Sequence, residues 1–171
     1  MTPLDNEASE PFSGDVELPF ELVLSVPSAA EGEADLGVPE AQTRRGVALA
    51  WATLEARGEA QPLSELSITY LDDDEILALN RAHLKHDWVP DVLSFTLEAG
   101  EGHRIGDLYI GLAQAARQAA EHGVTTDEEL VRLAVHGTLH VLGLDHPESA
   151  EDRAHAPMMQ IQESVVRRIF P

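Results

Sequence analysis

Three histidines, His136, His140 and His146, constrain this chain more than any other feature, because their spacing suits one helix, one turn and one shared ion. If residues 127 to 142 are helical, His136 and His140 lie four apart and project from the same face, with Cβ atoms about 6 Å apart. Gly143 follows where a helix can end, since glycine enters the left-handed conformation at little cost. A reversal there brings His146 back over the two helical rings. Three neutral imidazoles leave a fourth tetrahedral position for water, which is the arrangement of a catalytic rather than a structural zinc. A single histidine on an apolar helix face is usually a packing residue; three at ligand spacing around a helix-ending glycine point to a metal site with one Zn²⁺ per chain.

The same spacing resembles the extended metzincin motif of metal-dependent peptidases, with one break. Gly137 stands where the peptidase motif carries its general-base glutamate, so the carboxylate that takes a proton from water is missing there. Asp145 is the only carboxylate inside the motif. Beside His146 it can orient a ligand ring, cap local backbone, or act as a catalytic base.

The chain has 171 residues, 43% of them apolar, enough for one domain with a real core. It has no cysteine, so a metal must be held by His, Asp or Glu. No apolar run approaches a membrane span and the N-terminus is acidic, so a cytoplasmic protein without membrane contact is expected. The formal charge is −20, and residues 1 to 40 hold ten of the 31 acidic side chains and no Lys or Arg. Such a balance repels phosphate backbones and disfavours a free nucleic-acid binder driven by charge alone, DNA included.

Residues 1 to 15 lack hydrophobic periodicity and read as a disordered acidic leader, with the folded domain spanning 16–171. Phe20 to Val26 suit a first strand, residues 28 to 37 a loop, and 39–57 a helix opened by Pro39. Leu66, Ile68 and Tyr70 alternate as in a half-buried strand, and Asp72 to Asp74 suit a helix cap. Asp91–Leu97 and Asp107–Gly111 are expected to form an antiparallel hairpin, followed by a helix over 113–122. Thr126 with Glu129 has the form of a capping box for the histidine-bearing helix, and a final helix is expected from about Ser149 to Ile169. Met158, Met159, Val165, Val166 and Ile169 are expected to pack that helix. His83, His86, His103, His122 and His155 lack ligand spacing and read as ordinary surface histidines.

Several segments together resemble the YbeY-type endoribonucleases, a family of rRNA maturation factors, over roughly residues 60 to 165. They are Leu79-Asn80-Arg81, Asp91-Val-Leu-Ser-Phe95, Gly106-Asp-Leu-Tyr-Ile110, Glu129-Leu130 with Leu133, and His136 through His146, with Met159 and Glu163. Gly137 is the residue expected in this family where a peptidase carries Glu. The resemblance implies an α+β single domain with a mixed, roughly four-stranded sheet packed by helices and a zincin-like three-histidine site. It also implies a zinc held by His136, His140 and His146, and cleavage of single-stranded RNA. The implied role is in small-subunit rRNA 3′-end processing and ribosome quality control, with ribosomal RNA, the small ribosomal subunit and its proteins as partners.

Two positions depart from the family pattern. An Arg tied to catalysis or RNA contact is replaced by Leu84, and the usual Pro-Thr before Asp91 reads Val89-Pro90. Neighbouring Lys85 or Arg81 is a candidate for the missing positive charge, with Lys85 taken as a catalytic candidate alongside Asp145. A strand role for Asp91 and Ser94 outweighs a substrate contact. Water and a ribose 2′-hydroxyl both remain open as the nucleophile. Three classes compete: a zinc-dependent RNase, a metal-dependent peptidase weakened by Gly137, and a non-catalytic ribosome-assembly factor favoured by the acidic charge and by Leu84.

Overall fold

Alternating burial along Glu65–Leu71 builds the centre of the structure: Leu66, Ile68 and Tyr70 turn inward while their neighbours stay half-exposed. This strand, β2, pairs in parallel with β1 (Glu21–Ser25) on one side and β4 (Arg104–Gly111) on the other. The outer strand β3 (Val92–Glu98) runs antiparallel to β4, as the expected hairpin, and gives a mixed four-stranded sheet in the order β1-β2-β4-β3. The computed structural model describes residues 16–26 and 37–171. The expected leader (1–15) lies outside the described residues, as does nearly all of the expected 28–37 loop.

Six α-helices among the described residues complete an α+β architecture: α1 (Glu40–Arg57), α2 (Asp73–Leu79), α3 (Leu112–His122), α4 (Thr126–Val141), α5 (Ala150–Ala154) and α6 (Pro157–Ile169). Two apolar clusters meet on α4. Leu130, Leu133 and Ala134 pack with Val47 of α1 against Leu66, Ile68, Leu108 and Ile110 of the sheet. Val131, Val135 and Leu139 turn the other way, toward Leu49 and Leu54 of α1 and Met158, Ile161 and Val165 of α6. Each fully buried aliphatic side chain contributes about 1.5–3 kcal/mol, so the helix bearing His136 and His140 is fixed from both sides.

Two local expectations need correcting. The cap of α4 is Thr125, whose side chain accepts the Glu128 N–H at 3.1 Å; Thr126 is the first helical residue. The glutamate expected to close a box with Thr126 is instead drawn inward, where Glu129 takes a hydrogen bond from Arg132 at 2.7 Å. The expected continuous final helix is two helices. Ser149 caps the short α5, and Pro157, with no N–H to donate and a fixed φ, starts α6 as a new helix. The cap expected at Asp72 is present: Asp72 and Glu75 open α2 with a full capping box. Its last turn widens into a π-helical turn over Asn80–Leu84, closed by Lys85 at φ 58°.

The approach of α4 to the sheet explains Gly137. A Cβ there would lie 2.7 and 2.9 Å from the two methyl carbons of Leu108, a side chain that is itself fully buried. Two residues earlier in β4, a Cβ on Gly106 would overlap the Val141 side chain at the end of α4. The face of α4 at 137 is pressed onto β4, so any larger residue would push the helix off the sheet. Gly137→Ala is expected to cost about 1–3 kcal/mol, read as a lower urea midpoint with an unchanged slope.

Candidate metal centre

His136 and His140 occupy the last two turns of α4, and the chain reversal after them follows from local hydrogen bonding. The Gly143 N–H donates to His140 O at 3.0 Å and the Leu144 N–H donates to Leu139 O at 2.9 Å, with Gly143 at φ 107°. These paired bonds form a Schellman turn, which needs a residue tolerant of positive φ at the glycine position. The helix itself ends at Val141 with Leu142 as its cap, and Gly143 turns the chain just beyond. Leu144 packs into the apolar cluster between α1, α4 and α6, which anchors the turn. His146 then lies over the two helical rings, with centroids 5.2 Å from His136 and 4.9 Å from His140.

Each imidazole has its Nδ1 engaged by a different oxygen. His136 Nδ1 is 2.7 Å from Gln162 Oε1, His140 Nδ1 is 3.0 Å from Leu144 O, and His146 Nδ1 is 3.0 Å from Pro147 O. A carbonyl oxygen can only accept, so each Nδ1 carries the proton and each Nε2 presents a lone pair. One ligand atom from each ring falls within 4.8 Å of the others, and the three residues form a group that could hold a metal ion.

The His136 and His140 Nε2 atoms stand 3.1 Å apart. Two nitrogens bound to one tetrahedral zinc at about 2.0–2.1 Å would be about 3.3 Å apart. Bare lone pairs at that separation repel, so the donor set fits a cation between them.

Burial pushes the His136 imidazolium pKa down to about 4, assisted by the charges of His140 and His146 and opposed by the Gln162 hydrogen bond. His140 is lowered as well, first by burial and then by His146. Both rings are therefore neutral, as ligands must be, at neutral pH.

Behind His136 stands a relay that the histidine spacing alone does not reveal. Gln162 of α6 is buried, and its Nε2 donates to Glu163 Oε1 at 3.0 Å, which fixes the amide with its oxygen toward His136. Arg132 holds Glu163 in turn at 2.9 Å, and its other nitrogens bond Glu128 and Glu129. Burial pushes the Glu163 carboxyl up, but the Arg132 and Gln162 hydrogen bonds overcome it and hold the pKa below the ordinary range. The signal available in the sequence is a polar Gln among the apolar positions of the last helix.

The other candidates fall around this cluster. Asp145 is 88% exposed; its Oδ1 accepts the His146 N–H at 2.8 Å and lies 3.8 Å from His140 Nδ1. Asp91 precedes β3, and its charge acts on His136. Its two carboxylate oxygens accept from the Val92 N–H at 2.7 Å and from Gln118 Nε2 at 3.1 Å. Ser94 is exposed on edge strand β3, in register with Leu108, the residue that meets Gly137. Leu84 is exposed at the end of the π turn. Lys85 folds back to give Nζ to Ala82 O at 3.0 Å, and Arg81 is paired with Asp87.

Comparison with known proteins decides the family. The family model described as Endoribonuclease YbeY matches residues 30–169. The chain belongs to the YbeY family. Among curated relatives carrying that description, the protein of Desulfitobacterium hafniense (strain Y51) is 40% identical over 116 residues, 62% of this chain and 72% of the relative. That of Pelotomaculum thermopropionicum is 37% identical over 141 residues, 78% of this chain and 90% of the relative. In fold, the chain is similar to the solution structure of TM1509 from Thermotoga maritima, with a TM-score of 0.52 and 21% identity, covering 87% of this chain and 89% of that one. Within the YbeY family frame, Gly137 is thus a packing residue, seated where the metal-bearing helix lies on the sheet.

Two outcomes are expected from this geometry. Gln162→Leu removes the acceptor for His136 Nδ1 and should lower zinc affinity about 10–100-fold, measured by competition with a chelator while circular dichroism stays native. The metal-free protein should also lose stability on acidification. The ordinary imidazole value of 6.5 applies to the unfolded chain and about 4 to folded His136, so the unfolded state takes up the proton first. The contribution of neutral His136 is complete above pH 6.5 and is lost as pH falls toward about 4. Urea midpoints across that window should fall, with a shallower slope in His136→Gln.

Proposed function

We propose that this chain is a zinc-dependent single-strand endoribonuclease that matures the 3′ end of small-subunit rRNA and takes part in ribosome quality control. The observation that carries the reading is the convergence of three Nε2 lone pairs, each held by an oxygen on its Nδ1, in a chain of the YbeY family. His136, His140 and His146 hold one zinc ion. When bound there, zinc supplies Lewis acidity toward water and phosphoryl oxygen.

The protein's own groups have distinct tasks in this reading. Asp145 is exposed, with Oδ1 on the His146 N–H and lone pairs left over, so it can accept a proton at the site. Asp91 is held by the Val92 N–H and Gln118 and acts on His136 through its charge. Lys85 donates once to Ala82 O, and an ammonium has three N–H groups, so it retains donors for a phosphate oxygen. The substrate is RNA within the small ribosomal subunit, reached in the cytoplasm and partly through contacts of the acidic surface with basic ribosomal proteins. No described helix is long and apolar enough to cross a membrane.

A peptidase reading has the spacing of the histidines in its favour and the packing at Gly137 against it. A carboxylate at 137 would face Leu108 of the sheet.

Elemental analysis and cleavage of a fluorescent single-stranded RNA, on wild type and His136→Ala, test the proposal together. Near-stoichiometric zinc and cleavage in wild type, both lost in the variant, are expected. Zinc without RNA cleavage would overturn the nuclease reading and favour an assembly factor with a structural metal. Absence of bound metal would overturn the site assignment.

A further inference from the structure

The segment between the π turn and β3 presents an aromatic pair to solvent. Trp88 is 58% exposed and lies against His86, with ring centroids 4.1 Å apart and planes 17° apart. A single exposed ring is ordinary by itself; the stacked partner and the bonds that hold both backbones set this one apart. The pair is also built from within. Buried Asn80 accepts the His86 N–H on its backbone carbonyl at 3.3 Å, and its side-chain amide donates to Trp88 O at 2.8 Å. One interior residue therefore fixes the backbone of both members. The Arg81–Asp87 ion pair ties the same loop from outside.

The surroundings identify the kind of partner. Around the pair, Asp87 compensates Arg81, which leaves Lys85, the sole lysine of a chain with formal charge −20, as the uncompensated cation of residues 80 to 88. Trp88 is three residues before Asp91, whose charge reaches His136, and three residues span at most about 11 Å. An open, hydrogen-bonded ring pair beside Lys85, on the segment that leads to Asp91, has the chemistry of a base-stacking platform.

We propose that Trp88, stacked on His86, binds a nucleobase of the single-stranded RNA substrate next to the cleavage site. The inference rests on the nuclease reading for its substrate class and adds a subsite to it. The ring offers a π face to any base, so the subsite favours unpaired nucleotides with little preference for sequence. Asn80 acts as its positioning residue, through the two hydrogen bonds to the loop backbone.

The test measures binding of the zinc-loaded full chain to a short 2′-O-methyl oligoadenylate, which resists cleavage, and to an abasic oligomer of equal charge. Trp88→Ala should weaken binding of the oligoadenylate about 5–100-fold and leave the abasic oligomer unchanged. Trp88→Phe, which keeps a ring, should restore most of the loss, and both variants should keep the zinc content of wild type. Unchanged affinity in Trp88→Ala overturns the proposal, as does an equal loss on the abasic oligomer. Unchanged oligomer binding with weakened association to small subunits would overturn it too, and would give the ring pair to a protein partner. Base-dependent binding through Trp88 in a wild-type protein that cleaves no RNA would uphold the subsite while the nuclease reading fell. RNA cleavage by both wild type and Trp88→Ala, with equal affinity, would do the reverse.

Discussion

The structure depends on how closely α4 lies on β4. Without side chains at Gly137 and Gly106, the helix descends until Leu108 fills the space at one turn and Val141 fills it at the next. That descent buries one face of α4 in the sheet and leaves the opposite face for α1 and α6. His136 and His140 then leave the helix between these two packed faces. A longer side chain at 137 would lift the helix and shift both rings together, although neither ring touches residue 137 through its own side chain. Catalytic constellations held on packed helices are placed more accurately than those on loops, and here the packing residue adjoins the first ligand in sequence.

Imidazoles whose inner nitrogens crowd one point, as His136 and His140 do at 3.1 Å, repel through their lone pairs. The protein offsets their mutual repulsion through acceptors on the outer nitrogens, and those acceptors come from three separate sources. The Schellman turn satisfies helix-end carbonyls and then offers Leu144 O to His140, so the device that ends the helix also sets a ligand tautomer. The bend at Pro147 serves His146 in the same way. Only His136 needs help from a distant element. The chain Arg132–Glu163–Gln162 carries that help across the α4–α6 interface, and its charged members sit where burial would be costly if any partner were missing. The break at Pro157 has a structural consequence here. It starts α6 afresh, with Gln162 on the face turned toward α4.

The sequence made the site more legible than its supports. Ligand spacing is a short-range property of helix geometry, so His136, His140 and His146 could be placed together without knowing the fold. Strand alternation in Leu66, Ile68 and Tyr70 was legible for the same reason, and so was the β3–β4 hairpin. The mixed character of the sheet came from family resemblance, and its strand order was not legible, since no local pattern states that β1 pairs in parallel with β2. Caps were harder. Thr125 and Thr126 are chemically equivalent neighbours, and only the competition of Arg132 for Glu128 and Glu129 decides which position begins the helix. Gln162 was missed because a polar residue on a largely apolar helix is informative only when its partner across the interface is known. The π turn at Asn80–Leu84 had no readable signal, since its cause is the placement of buried Asn80 beneath the following loop.

Net charge poses the last physical question, because a polyanion must approach a chain carrying −20. Long-range attraction cannot supply the affinity; at physiological ionic strength the field of the acidic surface is felt within about 8 Å. What acts at contact distance is different in kind. His136 and His140 are neutral by burial, and a cation held by the three-histidine cluster would make it a local positive centre. The π turn and its loop add Arg81 and Lys85, with Asp87 compensating only the first. A substrate that reaches this edge therefore meets short-range attraction set in a repulsive surround. Such an arrangement disfavours casual, charge-driven binding to any nucleic acid and leaves affinity to contacts made at short range.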